Sequence, residues 1–163
     1  MAISGIKKVF ATPLDDVATV TEGAKEELGT IRFEGNAIYK YIVYNDGAGS
    51  VDGELGGVTF YYAVGGVNTE GYNDNEVTSD ETDGVIGAGV SMSLLLDGQF
   101  GWIQIRGFAT LTTTPTGSPA DGDALTAVGT SDHTLDACET VDDAQVAIVF
   151  DAGADTIICN FPF

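Results

Sequence analysis

The feature that most constrains this chain is a change of period at Gly29. From there to the end, apolar residues recur every second position in short runs, and the runs are cut by Asp-Gly and Asn-Asp-Gly turn clusters. That spacing predicts strands at about 30–34, 37–44, 58–64, 85–96, 101–113, 133–138, 145–150 and 156–161, the signature of an all-β sandwich or small β-barrel. Asn45-Asp46-Gly47, Asp52-Gly53, Asp97-Gly98, Asp121-Gly122 and Asp151-Ala152-Gly153 supply the Asx turns and positive-φ residues that reverse a chain. In 163 residues there is room for one domain. Glycine at 22 positions argues for many turns and few long helices.

The alternation assigns faces. Ile103, Ile105, Ala109 and Leu111 fall on one side of their run and should face the core, with Gln104, Arg106 and Thr110 on the other. By the same count Ile86, Ala88, Val90, Met92 and Leu94 share a face, as do Val146, Ile148 and Phe150. Trp102 lies opposite Ile103 and Ile105, so a turn, a sheet edge or a neighbouring subunit must cover it. Ser118 through Leu125 reads as one short helical turn, capped by Ser118 with Pro119 at its first position. The acidic tract from Asn68 to Gly84 reads as a long exposed loop.

Residues 1–29 differ from the rest. Leu14, Val17, Val20 or Thr21, Ala24 and Leu28 recur at three to four residues, but Gly23 and β-branched residues interrupt the pattern, which leaves an extended arm or a short helix open. The division is therefore an N-terminal arm, 1–29, and a β body, 30–163. Charge divides in nearly the same place: residues 1–40 hold five of the six Lys and Arg, and Arg106 is the one base after them, in a chain of net charge −19. Phosphate backbones and anionic lipid surfaces should be repelled by such a body, so neither nucleic acid nor membrane is expected as a partner. The start lacks the apolar stretch of a signal peptide, which points to use without Sec-type export. Cys138 and Cys159 read most simply as small hydrophobes in a reducing compartment.

Chemical constellations are sparse. The single histidine, in Ser131-Asp132-His133, cannot form a triad by adjacency, because neighbours in a strand point to opposite faces. Gly89-Val90-Ser91-Met92-Ser93 ends in Ser where a nucleophile elbow requires Gly. Gly84 to Gly89 has no following amphipathic helix to make it a phosphate cradle, and reads as a strand whose glycines admit a close backbone. The acidic loop from Asn73 to Gly84 offers oxygen ligands but no EF-hand register, and two cysteines with one histidine are too few for zinc. No catalytic, cofactor or metal residue is assigned.

Three segments carry a likeness: Asp83-Gly84-Val85-Ile86-Gly87, the run from Asp97-Gly98-Gln99-Phe100-Gly101-Trp102 to Gly107-Phe108-Ala109, and Ala120-Asp121-Gly122-Asp123-Ala124-Leu125. With Leu28-Gly29-Thr30 and Tyr39-Lys40-Tyr41-Ile42 before them and two closing strands, Gln145 to Phe150 and Asp155 to Phe161, this order resembles the decoration (cement, or head-stabilising) proteins of tailed bacteriophages. The resemblance covers most of residues 28–161; the segment between Val64 and Gly84 and the long front depart from it. It implies a non-catalytic virion protein, made in the host cytoplasm and carried on the outer capsid surface. Such a protein is a homo-oligomer, commonly a trimer, that clamps neighbouring major capsid protein subunits.

On that reading Ile6, Lys7, Lys8, Val9 and Phe10 are the capsid-docking candidates, because apolar residues beside the only basic pair suit a groove lined by carboxylates. An edge strand protected by its lysines is the plainer alternative. Trp102, Phe161 and Phe163 are the subunit-interface candidates. Rival readings are a calcium-dependent carbohydrate-binding sandwich, with Tyr39, Tyr41, Tyr44, Tyr61, Tyr62 and Tyr72 as stacking platforms, a small hydrolase, or a head-fibre or tail module.

Overall fold

The computed structural model describes residues 10, 12–63, 74–127, 131–140 and 143–162. They form ten strands: β1 (Ile31–Glu34), β2 (Ala37–Tyr44), β3 (Val58–Tyr62), β4 (Glu76–Thr78), β5 (Gly84–Ser91), β6 (Phe100–Thr110), β7 (Ala124–Thr126), β8 (Asp136–Ala137), β9 (Gln145–Asp151) and β10 (Thr156–Asn160). The fold is all-β. Five strands close on themselves: β2 pairs with β6, β6 with β5, β5 with β3, β3 with β4, and β4 runs parallel to β2 to complete the ring. Closure removes free edges from those five strands. The second half of β6, Arg106 to Thr110, pairs with β10, and the sheet continues through β9 and β7 to β8. β6 is thus shared by barrel and sheet, which is why it is the longest strand, at 11 residues.

One apolar core runs through both parts, from Ile42, Phe60, Val77 and Ile103 in the barrel to Leu125, Leu135 and Ile157 under the sheet. Ile103, Ile105, Ala109 and Leu111 are all buried in it, as their alternation required. A second cluster of Tyr39, Tyr41 and Trp102 lies on the opposite face of β2 and β6, packed by Phe10, Leu14, Leu28 and Phe100.

Several expectations are corrected. Ile148 and Phe150 do not share the core face with Val146. Val146 and Ala147 are both buried, and Ile148 and Phe150 point outward. The cause is a register shift in the β7–β9 ladder between Leu125 and Thr126, and a slip of one residue inverts every side chain beyond it. Ile86 and Leu94 are likewise exposed. The β3–β5 ladder is irregular, and β5 ends at Ser91 before Leu94 is reached. Ser118 to Leu125 forms no helical turn: Ser118 has φ 55°, Asp123 closes a turn on the Ala120 amide, and the chain enters β7 at Ala124. The acidic tract contains β4, with Val77, Thr78 and Ser79 fully buried.

Residues 12–29 contain no helix; Gly23 and Gly29 adopt positive φ and break the pattern. This stretch lies across the Trp102 face as an irregular strap, bridged to β6 at Ala18 and Phe100.

Candidate interaction surfaces

Ile6, Lys7, Lys8, Val9 and Phe163 lie outside the described residues. Phe10 packs edge-on against Trp102 with ring centroids 5.7 Å apart, and the Arg32 guanidinium sits 5.1 Å from the Phe10 ring. Trp102 is fully buried. Its Nε1 donates to Thr12 Oγ1 at 2.9 Å, and Tyr41 meets its ring at 5.1 Å. Arg32 also donates to the Thr12 carbonyl, and the Lys25 amide donates to the Tyr41 hydroxyl, so the strap is tied at both ends. Phe161 is buried in the main core, with its amide donating to the Ile105 carbonyl. Trp102 and Phe161 are therefore covered by their own chain and present no ring to a neighbour.

Val20, Phe33, Leu55, Ile86, Leu94 and Leu96 are exposed, and four further exposed apolar side chains lie together. Phe108 on β6, Ile158 on β10 and Ile148 on β9 are direct cross-strand neighbours, forming one outward row over three strands. Phe150 joins it through an edge-on contact with Phe108 at 5.2 Å. These four side chains are 39–57% exposed. Arg106 and Asn160 form the next row on one side, and Thr110, Thr156 and Asp151 the row on the other. A groove of about 600 Å³ runs beside the row, lined by Arg106, Phe108, Ile148, Ile158 and Asn160 among others. The centre of this face carries no carboxylate, in a chain of net charge −19. Alternation hid the row because Phe108 shares its side with Arg106 and Thr110, and because the β7–β9 shift turns Ile148 outward.

Several titratable groups are tied into the fold by hydrogen bonds. His133 has φ 64°; its carbonyl accepts from the Val58 amide, and its buried Nδ1 has no hydrogen-bond partner among the described residues. Asp132 accepts from the Glu81 amide. In the acidic tract, Asp83 accepts from the Ala48 amide and Asp80 from those of Gly49 and Thr82. Burial works to raise the Asp80 carboxyl, but the hydrogen bonds from Thr82, Gly49 and Asp83 outweigh it and hold the group below the usual carboxylate range. Among the described residues no three His, Cys, Asp or Glu side chains cluster in a way that could hold a metal ion. Both cysteines are free thiols, and burial pushes the Cys159 thiol up to about 12. Lys40 is buried, its Nζ 2.9 Å from the Tyr61 hydroxyl, and desolvation pulls its pKa down.

Of the tyrosines considered as stacking platforms, Tyr39, Tyr41, Tyr44 and Tyr61 are buried, Tyr62 is half-buried, and Tyr72 lies outside the described residues. Tyr44 is the most constrained. Its hydroxyl donates to the Val51 carbonyl at 2.7 Å and accepts from the Ser79 amide, and burial raises its pKa from 10 to about 12. A phenol whose pKa is raised by folding binds its proton more tightly in the native state. Stability from this group is complete below pH 10 and is lost as the pH rises toward 12. Melting temperatures should therefore fall across that interval, and tyrosinate absorbance should rise with unfolding; a flat profile to pH 12 would contradict the burial of Tyr44.

No protein-family model, no curated protein and no solved structure matches this chain.

Proposed function

We propose that this chain is a structural, non-catalytic virion protein that binds the outer surface of a tailed-bacteriophage capsid and clamps neighbouring major capsid protein subunits, acting as a homo-oligomer. The resemblance carries the virion role, and the observation that carries self-association is the outward row Phe108–Ile158–Ile148 with Phe150. A hydrogen-bonded three-strand face with four half-exposed apolar side chains exposes roughly 300–400 Å² of contiguous apolar surface, the size of the largest patch on a typical monomer and one that is often functional. Its amides and hydroxyls, with Arg106 on one side and Asp151 on the other, suit a protein surface better than a small substrate.

The occupant assigned to this face is a second copy of the chain. Two copies of net charge −19 associate only where carboxylates are scarce, and the centre of this face has none. Arg106 and Asp151 also stand at opposite corners of the row, so two such faces crossing at a steep angle bring each Arg106 over the partner copy's carboxylate. Contact with the coat lattice then falls to the N-terminal segment containing Ile6, Lys7, Lys8 and Val9, while Phe10, packed against Trp102, anchors that segment to the body. The resemblance supports the virion role; the trimer it implies would need a second, different contact surface on each copy, because two identical faces meeting across a two-fold axis close at a dimer.

The test is light scattering joined to co-sedimentation with undecorated capsids. Wild type should be oligomeric and sediment with capsids. A Phe108→Asp, Ile158→Asp variant should stay folded, since both side chains are outward, but weaken self-association by about 30-fold or more, the scale of an interface hot spot. A wild-type protein that ignores capsids overturns the virion role, and a variant that assembles like wild type overturns the assignment of the face.

A further inference from the structure

The chain contains five Asp-Gly dipeptides, at Asp46-Gly47, Asp52-Gly53, Asp83-Gly84, Asp97-Gly98 and Asp121-Gly122. Asp-Gly is chemically labile because glycine offers no side chain to hinder attack of its own amide nitrogen on the preceding carboxyl. That attack forms an N–Cγ bond and expels water, giving a succinimide. Water then adds back at either carbonyl, yielding aspartate or isoaspartate, so the net change is an isomerisation with no other reactant. The glycine N–H must be released for the reaction to begin.

In the fold all five N–H groups are engaged, but not equally. Gly53 donates to the Leu95 carbonyl at 2.7 Å, Gly98 to Tyr44 at 2.8 Å, Gly122 to Val149 at 2.9 Å, and Gly84 to the Glu81 carbonyl. These four acceptors are main-chain oxygens, held by a β-bridge, a strand or a short 3-10 turn, and freeing the donor means moving backbone. Gly47 alone donates to a side chain, Asn45 Oδ1 at 2.9 Å. A single rotation of the Asn45 side chain releases it. What opposes that rotation is Glu76, whose Oε1 accepts from Asn45 Nδ2 at 3.0 Å.

We infer that Asp46 is the site at which this protein undergoes spontaneous isoaspartate formation, and that the Glu76–Asn45 pair sets its rate. The position of the segment adds to this: residues 45–47 are half-buried and 48–50 exposed, and none of them belongs to the apolar core, so forming the succinimide ring need not disturb it. Isomerisation would lengthen the main chain by one carbon just before Ala48 and Gly49. The amides of those two residues would move off the Asp83 and Asp80 carboxylates that now hold the loop.

The test is to age the folded full-length protein in warm neutral buffer and map isoaspartate at all five dipeptides by peptide mass spectrometry, with protein in denaturant as reference. The reference gives each dipeptide its own unshielded rate. Relative to that reference, Asp46 should be the least protected of the five. Asn45→Ala should accelerate Asp46 alone by about five- to tenfold, the rate equivalent of one hydrogen bond of ordinary net strength. Glu76→Ala, which leaves the Asn45–Gly47 hydrogen bond in place but frees the Asn45 side chain to rotate, should also accelerate Asp46, while the other four dipeptides keep their wild-type rates and so exclude general loosening. Another dipeptide proving less protected, or an Asp46 rate unmoved by Asn45→Ala, overturns the inference.

Discussion

Trp102→Ala should lower stability by about 3–5 kcal/mol, the cost of deleting a fully buried large aromatic side chain whose surroundings relax only in part. For a chain of this size that corresponds to a fall in melting temperature of roughly 10 °C. The loss has several parts. Phe10 and Tyr41 each forfeit an edge-on ring contact, the Arg32 guanidinium loses a face 5.7 Å away, and Thr12 Oγ1 loses its donor. Trp102→Phe keeps an aromatic ring and removes only the indole N–H with part of the volume, so its loss should be visibly smaller. The strap depends on this ring more than the barrel does, so proteolysis of residues 12–29 in Trp102→Ala should precede cleavage of the body. A Trp102→Ala protein melting like wild type would show that the strap contributes nothing to folding.

Gly89→Ala should cost about 1–3 kcal/mol through overpacking. A methyl group at this position would sit 2.8 Å from the Gln104 carbonyl oxygen and 3.1–3.2 Å from the Ile103 side chain. The oxygen belongs to main chain in the closed barrel, where Val90 pairs directly with Gln104, so it cannot retreat without opening the β5–β6 ladder. Gly153→Ala is the control. Its nearest neighbour would be an Asp151 carboxylate oxygen at 3.4 Å, an ordinary contact, and its effect should stay within about 0.5 kcal/mol. Equal melting curves for the two variants would contradict the close strand approach at Gly89.

Much of the barrel and the sheet was legible from spacing alone: β2, β3 and β10 fall within runs marked by alternation and turn chemistry, and β5, β6 and β9 reach only one residue beyond theirs. The reading of Gly84 to Gly89 as a strand admitting a close neighbour holds at Gly89, because glycine without a following amphipathic helix has few other uses. β4 and β7 were not legible. Each has three residues, too few to show a period, and each exists because a neighbouring ladder receives it: β4 between β2 and β3, β7 beside β9.

The surface candidates divide in the same way. Trp102 and Phe161 stood out by residue type, yet type does not say what covers a ring. Trp102 is covered by a strap about 90 positions away in sequence, through Thr12. The apolar row needed still more, because Phe108, Ile158 and Ile148 become neighbours only when β6, β10 and β9 pair in one register, and Ile148 faces outward only because of the shift beside Thr126. Local alternation and turn residues, acting over a few positions, determined that this chain is all-β and where most of its strands run. Long-range pairing decided ring closure, the cover over Trp102 and the face left apolar, because a shift of one residue costs a strand little locally and reverses which side chains meet solvent.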